Sequence, residues 1–285
     1  MKFAYGSNAY TQHTLQEAIA SVAALGYRGI ELLADEPHLP GRTMRNHEIQ
    51  EIRVALDRHD LEISNVNCNT SVLYGTESTD PEFGPTILEQ DETLRETRIS
   101  HIHRTIENAY QLGAPCLCIS SGRVPENMSE QTAEELVEDA LHRVLDKAHE
   151  RDLPIGIEFE PGHFFGSTRE TLDWIDRMDD PLLGLNFDVG HAWVVHEDPA
   201  ELIRNHADRM WNIHLEDIPG RTHEHIIPGE GDLPLDDVIA ALLDVNFERF
   251  CTVELYPYTD KPNDAGQRAL EYLNELTSNS SEHDR

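Results

Sequence analysis

Four apolar runs in the second half of the chain end on groups that can do chemistry. IGIEFEP carries Glu158 and Glu160, LLGLNFDVGH ends in Asp188 and His191, MWNIHLED carries His214 and Glu216, and FCTVELYP carries Glu254. A run that carried on into a core would not finish on carboxylates and imidazoles, because an unpaired buried charge is costly. Glu158, Asp188, His214 and Glu254 together offer three carboxylates and one imidazole. Three acids converging on one point repel strongly unless a cation sits among them. Oxygen-rich ligation with a single imidazole suits Mn²⁺ or Mg²⁺ and tolerates Co²⁺ or Zn²⁺. The four are therefore read as the ligands of one divalent metal.

That reading requires elements that bring the four run ends together. Eight apolar runs alternate with eight longer segments along the chain. The runs are FAYGSN, RGIELLA, EISNVNCN, CLCISSG, IGIEFEP, LLGLNFDVGH, MWNIHLED and FCTVELYP. In the intervening segments apolar residues recur at three and four, the helix period. Gly26 and Gly113 fit helix stops, Ser167 with Glu170 fits a capping box, and Pro199 and Pro234 suit first helical turns. Strict strand–helix alternation implies a parallel sheet, and eight units close into a (β/α)8 TIM barrel, an α/β fold. The rival, an open doubly wound sheet, lacks its usual G-x-G-x-x-G loop after the first strand. No Pro/Gly/Ser-rich linker divides the chain, so residues 1–278 are expected to form one barrel domain, with 279–285 a polar, disordered tail. In such a barrel the site lies at the C-terminal ends of the strands. The first strand ends there with Ser7 and Asn8, the third with Asn67 and Asn69, and the fourth with Ser120 and Ser121.

Composition narrows the partners. The 285 residues carry 54 acids against 22 Lys and Arg, a net charge of −32, and Lys2, Lys147 and Lys261 are the only lysines. Such a surface implies a halophilic protein kept soluble in high salt, and it argues against duplex nucleic acid, whose binding relies on Lys and Arg. No run approaches the length of a membrane span and the N-terminus lacks a signal-peptide core, so a cytoplasmic protein is expected. The four cysteines, Cys68, Cys116, Cys118 and Cys251, are read as buried free thiols of a reducing compartment. Two further histidine pairs differ in promise. His101 and His103 read as ordinary helix residues. His223 and His225 lie in RTHEHIIPGEG, where the turn at Pro228–Gly231 would return the loop over the barrel mouth.

The motifs I-E-x-E-P-G, N-x-D-x-G-H, I-H-L-E-D, H-E-H-x-x-P-G-E-G-D and V-E-L resemble those of the xylose isomerase-like sugar isomerase/epimerase superfamily. That superfamily includes ketose 3-epimerases, hydroxypyruvate isomerase, inosose dehydratase and endonuclease IV-type AP endonucleases. The resemblance spans nearly the whole chain, with its specific motifs in the second half. It implies one divalent metal, Mn²⁺ or Mg²⁺ favoured, on Glu158, Asp188, His214 and Glu254, with Glu160 the alternative to Glu158. It also implies that His191 faces substrate oxygen. The endonuclease branch needs zinc-binding histidines on strands three and four, where this chain has NVNCN and CISSG, so a full trinuclear site is not expected. Counterparts for one additional metal do exist, at His191, His223 and His225.

The activity so implied is metal-dependent isomerisation or epimerisation of a small sugar, ketose or cyclitol, through proton abstraction beside a carbonyl and an enediolate. Glu158 and Glu254 would serve as base and acid on opposite walls, with His191 donating to the developing oxyanion. Glu160, His225, Arg221 and Asn67, with Trp193, would shape the sugar pocket. Few basic residues lie near the mouth, which favours an unphosphorylated substrate. The same enediolate could instead expel a β-hydroxyl, making the protein a dehydratase. A non-catalytic sugar-binding barrel is the alternative of another class, against which stand the paired Glu158 and Glu254. A homo-oligomer is compatible with this reading.

Overall fold

A computed structural model describes residues 1–69 and 83–283, with 280–283 described by backbone alone. Its eight strands are parallel and close in sequence order. They are β1 (Lys2–Gly6), β2 (Gly29–Leu33), β3 (Glu62–Asn67), β4 (Leu117–Ile119), β5 (Ile155–Ile157), β6 (Leu183–Asp188), β7 (Met210–Leu215) and β8 (Phe250–Val253). Closure is made by β1 against β8, with Lys2 opposite Phe250 and Tyr5 opposite Val253. The expected (β/α)8 barrel is therefore the fold.

Helices α1 (Leu15–Leu25), α2 (Asn46–His59), α3 (Glu92–Leu112), α4 (Glu130–His149), α5 (Thr168–Met178), α6 (Val189–Val194), α7 (Pro199–His206), α8 (Leu235–Asp244) and α9 (Pro262–His283) connect and follow the strands. Their buried faces repeat at helical spacing, as Leu15, Ala18, Ile19 and Val22 do in α1. Thr14 starts α1 with a reciprocal capping box to Glu17. Gly26 and Gly113 end α1 and α3 at φ of 98° and 82°, a left-handed conformation that side chains with a Cβ disfavour. Strands buried on both faces read as near-continuous apolar runs, which is why the alternation was visible in the sequence.

Three local departures matter. The run LLGLNFDVGH is not one strand: β6 stops at Asp188, whose Oδ1 accepts the backbone N–H of His191 at 2.7 Å and caps α6. The last helix does not stop at 278 but runs to His283. Its polar end is compatible with helix because Thr277 and Ser278 donate their hydroxyls to the carbonyls of Leu273 and Asn274. Residues 284 and 285 of the expected tail lie outside the described residues. Finally, the pairing register shifts between Ile30 and Glu31 on β2, and between Leu185 and Asn186 on β6. Bulges of this kind re-aim side chains. All four cysteines are free and buried. Among the described residues no helix is long and apolar enough to cross a membrane.

Candidate active site

The three acids and one imidazole proposed as a set do converge. One ligand atom from each of Glu158, Asp188, His214 and Glu254 lies within 4.8 Å of the others, and all four residues are buried. His214 is the hub: its Nδ1 is 3.0 Å from Glu158 Oε1, 3.6 Å from Glu254 Oε2 and 3.8 Å from Asp188 Oδ2. The convergence follows from topology, because β5 to β8 are successive neighbours and each side chain projects from its C-terminal end. Glu160 lies apart from this group, 3.3 Å from His223 Nδ1 and 3.5 Å from His191 Nε2.

Two observations test whether a metal suits these residues. Asp188 Oδ2 is buried with no hydrogen-bond partner, as are Glu216 Oε2 and His225 Nε2 beside it. Buried polar atoms are ordinarily satisfied, and a place for a bound ion is one recognised reason when they are not. The donor set, three carboxylates and one imidazole, is also that of a hard to borderline divalent cation. The residues fit.

Neutral side chains from neighbouring and more distant strands brace the acids. Asn69 Nδ2 donates to Glu158 Oε2 at 2.5 Å, Asn186 Nδ2 donates to the same oxygen at 2.9 Å, and Asn8 and Asn67 donate to Glu254 Oε1 at 2.9 and 3.2 Å. Glu216 lies beside Asp188, its Oε1 accepting the backbone N–H of Gly190 at 2.7 Å. A Cβ at Gly190 would collide with that carboxylate and force it to shift.

The loop after β7 is folded back over the mouth. Asp217 holds it, its Oδ1 accepting the N–H groups of Ile218 and Leu233 and its Oδ2 those of Gly229 and Gly231. Ile226 pairs with Asp217 in an antiparallel bridge. His223 and His225 are thereby brought onto His191, with ring centroids 4.7 and 5.6 Å from it. The three imidazoles form a second cluster with ligand atoms within 4.8 Å. His191 is oriented by the Phe159 carbonyl, 2.8 Å from its Nδ1, which leaves Nε2 turned towards Glu160 and Asp188.

These groups open onto a cavity of about 440 Å³ that also reaches Asn8, Asn67, Asn69, Asp35, Phe83, Arg123 and Tyr256. Arg221 is not among its lining residues. Its guanidinium stacks on the Trp193 ring, 3.3 Å from the centroid, and donates to the Trp193 carbonyl. Sequence reading missed Phe83, Arg123 and Tyr256, which sit in connections with no chemical motif. Glu31 was missed as well: it is 1% exposed inside the barrel and lies 2.8 Å from His214 Nε2.

Charge crowding shifts the ionisable groups apart. Burial, aided by Glu158, Glu31 and Asp188 and opposed by His214, pushes the Glu254 carboxyl up to about 8. Burial disfavours a charged His191, yet Asp188, Glu160 and Glu158 outweigh it and lift its pKa to about 9. His214 is raised well above the usual range in the same way, against its burial, by Glu158, Glu31 and Glu254. His225 goes the other way: burial lowers it to about 3, with His191 and His223 adding to the effect.

A family model described as xylose isomerase-like TIM barrel matches residues 19–276. Fructoselysine 3-epimerase of Escherichia coli O157:H7 is 24% identical, the match covering 92% of this chain and 93% of that protein. Inosose dehydratase of Clostridium beijerinckii is 23% identical, covering 93% and 91%. Among solved structures, a D-tagatose 3-epimerase-like protein superposes with a TM-score of 0.76 at 22% identity, over 96% of this chain and 99% of that one. The IOLI protein with a binding zinc atom does so at 0.79 and 18%, over 98% and 99%.

Proposed function

Since this chain belongs to the xylose isomerase-like TIM barrel family, we propose that it is a divalent-metal-dependent sugar isomerase or epimerase. Its substrate would be a small unphosphorylated ketose, aldose or cyclitol, deprotonated beside its carbonyl. The observation that carries this reading is the convergence of Glu158, Asp188, His214 and Glu254 beneath a cavity of about 440 Å³. Those four residues would hold the metal, which when bound supplies Lewis-acid stabilisation of charge developing on the substrate oxygens. Manganese or magnesium is favoured by the carboxylate-rich set, with cobalt or zinc compatible.

The chain's own residues would move the protons. Glu158 and Glu254 directly follow β5 and β8, on different walls of the barrel. One takes the carbon-bound proton from one face of the enediolate plane, and the other returns a proton to the opposite face or to the neighbouring carbon. His191, its Nδ1 held by the Phe159 carbonyl, presents Nε2 to a developing oxyanion. Glu160, His225 and Asn67 line the cavity and would bind hydroxyls. His191, His223 and His225 would offer a position for a second cation.

The test is incubation of metal-loaded protein with ketoses, aldoses and inososes in D₂O. Solvent deuterium on the carbon beside the carbonyl, in a product of unchanged composition, is the expected result. A product that has lost water would make the protein a dehydratase. Absence of exchange with every sugar and metal would overturn the enzyme reading and leave the sugar-binding barrel. Counting bound metal equivalents separates one cation from two.

A further inference from the structure

The interior of a TIM barrel is ordinarily filled with branched apolar side chains. Here the layer beneath the four converging residues is polar, and at its centre lies a carboxylate from β2, a strand that adds no acid to the set above. Glu31 is 1% exposed. Burying a carboxylate at such a position is costly unless it is paired and hydrogen-bonded. Glu31 receives Asn65 Nδ2 at 2.8 Å and Asn212 Nδ2 at 3.4 Å on Oε2, and Asn67 Nδ2 at 3.2 Å on Oε1. His214 Nε2 lies 2.8 Å from the same Oε2.

We propose that Glu31 is a positioning residue of the metal centre, accepting the Nε2 proton of His214 and so holding the tautomer whose Nδ1 lone pair faces Glu158, Asp188 and Glu254. The proposal rests on the metal-dependent reading given above. A neutral imidazole carries one N–H and one lone pair, and only the lone pair can bind a metal. The carboxylates divide between the two nitrogens, while Asn186 Nδ2 lies 3.3 Å from one and 3.4 Å from the other. Nδ1 looks into the acid set, at 3.0 to 3.8 Å from its three carboxylates, and Nε2 looks away from it at Glu31. A carboxylate behind a metal-binding histidine fixes the ring and raises its basicity.

The backbone is built for this contact. The register shift on β2 falls between Ile30 and Glu31, so Glu31 stands opposite Asn65 while Ile30 stands opposite Ile63. The second shift, between Leu185 and Asn186, brings Asn186 opposite Asn212. Those amides join the two carboxylates that flank His214. Asn65 and Asn212 donate to Asn186 Oδ1 at 3.3 and 2.9 Å, and Asn186 in turn donates to Glu158 Oε2 at 2.9 Å. Both irregularities in the described barrel pairing thus occur where this layer is assembled.

Two measurements test the assignment. In zinc-loaded protein labelled with ¹⁵N-histidine, long-range ¹⁵N–¹H spectra should show His214 protonated at Nε2. In competition with a chelator at fixed pH, Glu31→Gln and Glu31→Leu should bind zinc about 10–100-fold more weakly than the wild type. Glu31→Gln should also weaken the hydrogen bond from Nε2–H, read as an upfield shift of that proton, a change that a merely space-filling role would not produce. A proton on Nδ1 in the loaded wild type, or unchanged zinc affinity in both folded variants, would overturn the proposal. Should the variants fail to fold, the wild-type spectrum decides alone. A wild type that binds no zinc, manganese or magnesium would remove the metal-dependent reading itself, a different result from binding through the wrong nitrogen.

Discussion

The two halves of the barrel mouth carry different chemistry. Strands β5 to β8 and their ends supply Glu158, Asp188, His214 and Glu254, every one ionisable. Strands β1 to β4 and their ends supply Asn8, Asn67 and Asn69, all neutral, and each donates into an acid of the other half. The contrast separates two tasks. One half concentrates negative charge where the proposed cation would bind. The other fixes the orientation of that charge through amide donors, which add no repulsion. Asp35 and Arg123 break the division at the cavity, and Glu31 breaks it one layer deeper, where it meets the back of His214 and the amides of Asn65, Asn67 and Asn212.

The largest effect should come from the charged half. Glu254→Gln keeps shape and an oxygen but cannot accept a proton at neutral pH. Its kcat should fall by roughly 10²–10⁴, the loss typical of a missing general base. Metal content must be measured on the same sample, since Glu254 is also an expected ligand. A metal-replete Glu254→Gln that exchanges the substrate's carbon-bound proton at the wild-type rate would reduce Glu254 to a ligand and end the two-base mechanism.

A smaller effect is expected from the neutral half. Asn69→Ala removes one donor to Glu158 and leaves every acid in place. A hydrogen bond to a charged group contributes about 1.5–3 kcal/mol, so metal affinity should drop about 10–100-fold by chelator competition, without loss of the site. If Asn69→Ala abolished binding as completely as His214→Ala, the amide half would be part of the ligand set and the contrast would collapse.

The smallest effect concerns acid stability behind the neutral half. His101 on α3 is buried, and burial, with Arg98 and Arg104 adding to it, lowers its pKa to about 3. The unfolded chain therefore takes up this proton first. The stability it confers is full above the unfolded pKa near 6.5 and is lost as pH falls towards 3, at no more than about 1.4 kcal/mol per pH unit. His191, raised to about 9, behaves oppositely: its contribution is full below the unfolded value and fades as pH rises through 9. Urea titrations from pH 7 to 4 should show a shallower decline for His101→Gln than for the wild type. Parallel declines would place acid sensitivity elsewhere.

Much of this was legible in the sequence because parallel strands buried on both faces leave uninterrupted apolar runs, and functional groups interrupt those runs at their C-terminal ends. Asp188 and His214 were readable for that reason. Glu31 was not. It stands in the middle of GIELL, and its inward aim beside His214 depends on a register shift that no residue type announces. The strand reading of VGH failed because Asp188 both ends a strand and caps a helix, and local periodicity over six residues cannot distinguish the two. Arg221 was expected at the sugar because of its place in the loop, whereas the half-buried Trp193 ring beside it gives the guanidinium a nearer partner.

The pairing of β1 with β8 has a consequence for the timing of biosynthesis. Asn8 leaves the ribosome well before the carboxylate it binds, Glu254, which follows 246 residues later. No growing chain that stops short of β8 contains all four candidate ligands, and none can close the barrel around them. A metal that needs all four of these ligands could be held only once β8 has joined β1.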